Sequence, residues 1–194
     1  MTRPRRPAVL AFAFLALGLI IAMPRELAAN VDVILSLADL TRTSTAIATV
    51  TPLEQQSHWE GGRIVTLTRV RIDSLLAGNP TISEPIVRTL GGTIGNLTQI
   101  VDGEPVLLPS SRALLFLRET GPGTFQVAGR GQGQFPIVVS LEGGPFVVHH
   151  PRLGTLVQPV DRPSVRAAVS VLHGLALDAA EATIELAWKE SHAR

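Results

Sequence analysis

Between Arg63 and Asp73 the side chains alternate with a period of two. Ile64, Thr66, Thr68, Val70 and Ile72, all β-branched, fall on one side, and Val65, Leu67, Arg69, Arg71 and Asp73 on the other. This alternation predicts a strand, because successive strand residues point to opposite faces and β-branched side chains pack well on a pleated surface. The second side passes from Val65 and Leu67 to arginines and an aspartate, so it is expected to leave the core partway along, as in a coiled or bulged strand of a small barrel. The following Leu75-Leu76-Ala77-Gly78-Asn79-Pro80 is expected to turn.

Further extended segments are expected at Thr45–Val50, Pro85–Leu90, Arg112–Arg118, Thr124–Ala128, Phe135–Leu141 and Pro145–His150. Glycine and proline clusters separate the later ones at spacings of roughly ten residues, which favours a sandwich or barrel over alternating βαβ units. Arg112–Arg118 is apolar on both faces and is therefore the expected central strand. Leu141 to Pro145 should join Ile137 and Val139 to Phe146 and Val148 as a hairpin. The polar stretch Glu54–Gly62 reads as a loop. Asn30–Leu40, with Val33, Ile34, Leu37 and Leu40, suits a short helix as well as a strand.

After Pro163 the period lengthens. Val165, Ala168, Val169 and Leu172 share a helical face, and Asp178-Ala-Ala-Glu181 has the form of a capping box ahead of Ile184, Ala187 and Trp188. The two short helices are expected to cover an open end or edge of the barrel, or alternatively to serve as a partner-binding tail. The predicted fold class is mainly β: a small antiparallel barrel or sandwich of about six to seven strands over residues 30–160, with a short C-terminal helical tail over 161–194.

Residues 1–29 stand apart. Arg3, Arg5 and Arg6 precede a run from Ala8 to Met23 without a charged or strongly polar side chain, the layout of a signal peptide. Cleavage is expected after Ala28 or Ala29. The run is shorter than the roughly 20 residues of a spanning helix, although a tilted, uncleaved anchor is the alternative. Removal of residues 1–29 takes Arg3, Arg5, Arg6, Arg25 and Glu26 from 17 basic and 16 acidic residues, leaving 13 against 15 and a net charge of −2. No basic cluster remains, and nucleic acid is set aside as a partner.

The chain has no cysteine, which excludes disulfides, thiolate metal sites and a thiol nucleophile. His149 and His150 are adjacent and on a strand would point to opposite faces, so no metal site is expected. Gly129-Arg130-Gly131-Gln132-Gly133 resembles a phosphate cradle but joins two strands, and Gly91-Gly92-Thr93-Ile94-Gly95-Asn96 is likewise not followed by a helix. Glu54/Glu60 and Asp102/Glu104 are paired carboxylates in polar stretches, where solvated surface charge is the default. Ser110-Ser111 precedes the apolar strand without a G-x-S-x-G context. No cofactor is expected.

Three segments together carry a resemblance: Ile64 to Gly78, Ile86 to Gly92, and Arg112 to Arg118 leading to Phe125–Gly129 and Gly131–Phe135. They resemble a group of exported, uncharacterised bacterial proteins with a long strand ending in a Leu-Lys-Gly type of turn and a later Leu-Leu-Phe-Leu strand. More distantly the arrangement is similar to the netrin-like OB-barrel module of tissue inhibitors of metalloproteinases. The resemblance covers roughly residues 35–140 and implies an OB-like barrel. Those inhibitors cap a metal with an N-terminal cysteine, which this chain lacks, so no functional residue carries over.

The expected function is non-catalytic binding in the cell envelope or outside the cell, with an unidentified protein or glycan partner and membrane contact only through residues 1–29 if they are uncleaved. The binding surface is sought in Glu54–Gly62 and Gly91–Glu104, at His58, Trp59, Asn96 and Asp102, because loops carry the variable chemistry of such barrels. An envelope serine hydrolase using Ser111 and a histidine, and a membrane-tethered structural protein, are the alternatives.

Overall fold

The computed structural model describes residues 31–80, 83–141 and 143–193; the export segment expected at residues 1–29 lies outside them. The ambiguous apolar pattern after Asn30 resolves into both elements it suggested, strand β1 (Val31–Val33) and helix α1 (Leu37–Thr43). A capping box starts the helix. Ser36 Oγ accepts from the Asp39 N–H at 3.1 Å, and the Asp39 carboxylate accepts the Ser36 N–H at 3.1 Å.

Two long strands follow, β2 (Ala46–Glu60) and β3 (Arg63–Gly78), then β4 (Ile86–Leu90), a small hairpin of β5 (Gly92–Ile94) and β6 (Leu97–Gln99), β7 (Ala113–Gly121) and β8 (Thr124–Val127). β7 pairs with β2, β2 with β3, β3 with β4, β4 with β8, and β8 returns to β7, which closes a five-stranded barrel. All joints are antiparallel except β4–β8, which is parallel and limited to Ile86–Thr124 and Val87–Phe125. In chain order the ring runs first, second, third, fifth, fourth, the strand order of an OB barrel. Register shifts at Ile47/Ala48, Thr49/Val50 and Pro52/Glu54 bend the β2–β3 pair enough to close it.

Beyond the barrel, a 3-10 turn (Arg130–Gly133) leads to β9 (Gln134–Val139) and β10 (Pro145–Val147), joined as the expected hairpin with Ile137 opposite Val147. β11 (Thr155–Val157) pairs in parallel with β1, and helices α2 (Ala168–Leu172) and α3 (Leu177–His192) end the fold.

Two cores explain why Arg112–Arg118 is apolar on both faces. Ala113, Leu115 and Leu117 point into the barrel with Ala46, Ala48, Val50, Val70, Val87 and Phe125. Leu114 and Phe116 point outward, with Ile47 and Phe135, under a layer made by Leu40, Ala168, Leu172, Ala180 and Ile184. The helices thus lie on the outer face of β2 and β7 rather than over an open end.

Three local expectations are corrected. Glu54–Gly62 is not a loop: β2 runs to Glu60, and Gly61 and Gly62, with φ of 56° and 78°, make the two-residue hairpin turn. β3 does not turn at Leu75 but continues to Gly78 against Ala46. α3 begins at Leu177 with no side-chain cap, and Asp178 instead accepts from the Ala179 N–H.

Candidate functional site

The β2–β3 hairpin extends past the barrel, and the segment from Gly91 to Leu107 folds against one of its faces. Trp59, Ser57 and Gln55 stand directly opposite Ile64, Thr66 and Thr68, so all six share this face. Gly92 makes the close approach possible: a Cβ there would lie 2.1 Å from Thr66 Oγ1 and 2.5 Å from Ser57 Oγ, at a φ of +133°. Thr66 Oγ1 donates to the Gly91 carbonyl at 2.7 Å and sits 2.8 Å from Ser57 Oγ.

The returning end of the segment is a plug. Leu107 is buried among the barrel residues, and the Gln55 side-chain amide donates to its carbonyl. The Gln134 amide imitates a neighbouring strand by accepting the Val106 N–H at 2.9 Å and donating to the Val106 carbonyl at 2.6 Å. Glu104 accepts the Leu90 N–H at 3.1 Å and Arg130 Nε at 2.7 Å. Arg130, with a φ of 56°, also donates to both Asp32 oxygens and to the Asp102 carbonyl. These partners raise its pKa despite burial, which acts the other way. Of the Asp102/Glu104 pair, Glu104 is therefore not solvated surface charge but buried and paired, whereas Asp102 is exposed.

Between hairpin and segment lies an open cleft of about 170 Å³. Gln55, Thr66, Thr89, Thr98 and Gln99 bring hydroxyls and amides to it, Ile100, Val106 and Leu107 bring apolar surface, and Glu104 and Arg152 bring charge. The Arg152 backbone is pinned on both sides. Its N–H donates to His150 Nδ1 at 3.2 Å and its carbonyl accepts from the Gly103 N–H at 3.1 Å. Burial pushes the His150 imidazole below its usual pKa, which suits this acceptor role.

The sequence-chosen residues divide. Trp59 is 55% exposed and extends the cleft face beyond Ser57. His58 is on the opposite face of the hairpin, 3.6 Å from Glu60, which is bound in turn by Arg88. That hydrogen bond from Arg88 lowers the Glu60 pKa. Asn96 is exposed at the turn between β5 and β6 and is not part of the cleft lining, and Asp102 is exposed within the segment, with its carbonyl on Arg130. Gln55 and Gln99 lie within the two stretches where the surface was sought but were not singled out, and Thr89 and Arg152 lie outside both. Gln55 and Ser57 carry a period-two signal continuous with Trp59, legible only if β2 is extended through the polar stretch.

A second depression of about 140 Å³ lies outside the barrel beside the short β4–β8 joint, lined by Arg88, Arg118 and Arg130 with Glu104. Carboxylates already face two of its arginines, Glu60 on Arg88, and Asp32 and Glu104 on Arg130. Ser111 donates its N–H to the Leu108 carbonyl, and the hydrogen bonds of the five histidines lead elsewhere. Among the described residues no three or more His, Asp or Glu side chains are grouped as metal ligands. Compared with known proteins, the chain matches no protein-family model, and no curated protein is significantly similar to it.

Proposed function

We propose that the chain is an exported, non-catalytic binding module of the cell envelope or extracellular space, which takes its ligand in the cleft between the β2–β3 hairpin and Gly91–Leu107. One observation carries the reading: two segments remote in sequence converge on a single cleft of mixed polar and apolar lining, with a half-exposed tryptophan on the same face. Barrels of this strand order commonly take ligands through strand faces and loops, which supports the placement by analogy of fold. Export rests on the charge and apolar pattern of residues 1–29. The netrin-like resemblance contributes the barrel and no inhibitory mechanism.

The test is retention of a partner, protein or glycan, from envelope and secreted fractions by the purified protein. Trp59→Ala should weaken retention at least tenfold. Its melting temperature should stay unchanged, since replacing a side chain this exposed costs within about 0.5 kcal/mol. Equal retention by both proteins removes the cleft from the reading. Hydrolysis by Ser111 is the competing reading, and the left-handed backbone of its neighbour Ser110, at a φ of 64°, favours it as a strained turn. It requires turnover of esters or peptides that disappears in Ser111→Ala.

A further inference from the structure

We infer that acid loosens the cleft between the β2–β3 hairpin and Gly91–Leu107, through a latch at His150-Pro151-Arg152 whose imidazole holds the neighbouring backbone only while neutral. As regulation of the binding site, this rests on the cleft being that site. The latch has the form of an Asx turn with a different acceptor. In such a turn a side-chain oxygen accepts the backbone N–H two residues on. Here His150 Nδ1 takes that place and accepts the Arg152 N–H at 3.2 Å, with Pro151 fixing the backbone between them. An amide oxygen accepts at any pH. An imidazole nitrogen accepts only while it carries no hydrogen, and imidazolium carries one on both nitrogens and donates from both. Protonation therefore sets two N–H groups against each other, and the turn must open.

Two further backbone bonds tie the turn to the wall of the cleft. The Gly103 N–H donates to the Arg152 carbonyl at 3.1 Å, and the Gly131 N–H donates to the Gly103 carbonyl at 2.7 Å. Gly103 thus hangs between the latch and the 3-10 turn. The next residue is Glu104, which lines the cleft and holds Leu90 and Arg130. There is little slack in this stack: a Cβ on Gly131 would lie 2.9 Å from the Gly103 carbonyl oxygen and 3.5 Å from His150 Nδ1. Loss of the His150 bond frees Arg152, itself a lining residue, and with it one of the two backbone anchors of Gly103.

The surroundings of the ring set the proton against the fold. His150 is 3% exposed. Burial lowers its pKa most, and the charges of Arg152 and His149 lower it further; the Arg152 backbone acts the other way, but its carbonyl is already engaged by Gly103. The 3-10 turn and the segment behind it bring Arg130, Asp102 and Glu104 to this region, with Arg130 bound to Glu104, to Asp32 and to the Asp102 carbonyl. A folded pKa below the ordinary 6.5 means that the ring takes up a proton more readily once released. The latch is therefore complete above that ordinary value and is lost as pH falls through the folded one.

Amide hydrogen exchange at Gly103 and Arg152 reads the latch without any ligand. Their protection factors should fall tenfold or more between about pH 7.5 and about pH 5, at milder acidity than Asp39 requires. In the unaltered protein that loss should share its midpoint with the titration of the His150 ring, followed by nitrogen NMR. His150→Asn supplies an acceptor that does not titrate, and its protection should be the same at both pH values. His173→Gln, at an exposed ring that accepts the His149 N–H, should behave as the unaltered protein. Protection that does not change with pH, a midpoint apart from that of the ring, or a response that survives in His150→Asn or vanishes in His173→Gln overturns the inference. Retention of the Trp59-dependent partner should fall tenfold or more over the same range and hold in His150→Asn. Retention that stays level while protection falls also overturns the inference and leaves the binding module standing. If no partner is retained at any pH, the binding-module reading falls, and the exchange data alone decide the latch.

Discussion

The hydroxyl of Thr49 is buried on the outer face of β2, opposite Leu114, and among the described residues it has no hydrogen-bond partner. Ordinary burial of a hydroxyl is offset by a bond; here the desolvation stands alone. Thr49→Val keeps the shape and removes the orphan, and should raise stability by about 1 kcal/mol, read as a higher denaturation midpoint with an unchanged slope. The same scale shows what sequence reading misses. Nothing in the local pattern marks Glu104 or Arg130, because their pairing with each other and with Asp32 joins residues that are remote in sequence. A charge reads as solvated until the fold supplies its partner. The structure shows of Trp59 only that it is half-exposed on the outer half of β2.

Among elements, the apolar strands were read well and the polar ones poorly, for one reason. β3, β4, β7, β8 and the β9–β10 pair advertise themselves through β-branched and apolar alternation. The outer half of β2 does not, because its two faces are completed by cross-strand polar pairs: Ser57 with Thr66 and Gln55 with Thr68 on one, and Glu54 with Arg69 on the other. Such a strand has no hydrophobic period to detect, and half the cleft stands on it. The Asp178 cap failed for a different reason: the preceding segment reaches β10 through Phe146 and Ala176, and that pairing, not a side chain, fixes where the helix starts. The cleft in turn depends on one backbone approach. Gly92→Ala would drive a methyl group into Thr66 and Ser57 and displace β5 from the hairpin. It should weaken ligand retention more than Trp59→Ala does and lower the melting temperature as well, which the tryptophan variant should not.

Across the whole molecule, Asp39 fastens the helical layer to the segment that leads into it. Arg162 donates to both of its oxygens, at 3.1 and 2.9 Å. Burial works against the charge, but the hydrogen bonds from Ser36 and Arg162 outweigh it and hold the carboxyl below its ordinary 3.8. A lowered folded pKa means that the unfolded chain takes up the proton first. The stabilising contribution is therefore complete above the ordinary value and is lost as pH falls through the folded one. Thermal melts should show stability declining below about pH 4, and Asp39→Asn should lower the melting temperature at pH 7 while flattening that decline.

β7 gives one face to the barrel interior and the other to the helical layer, and this limits what can be borrowed from the protein. Cutting away the helices would leave Leu114 and Phe116 facing water on a strand that the barrel cannot do without. A shortened version made for display or fusion would thus be prone to stick to itself. The hairpin tip at Gly61-Gly62 belongs to neither wall and faces open space, so foreign sequence can be inserted there without disturbing both halves.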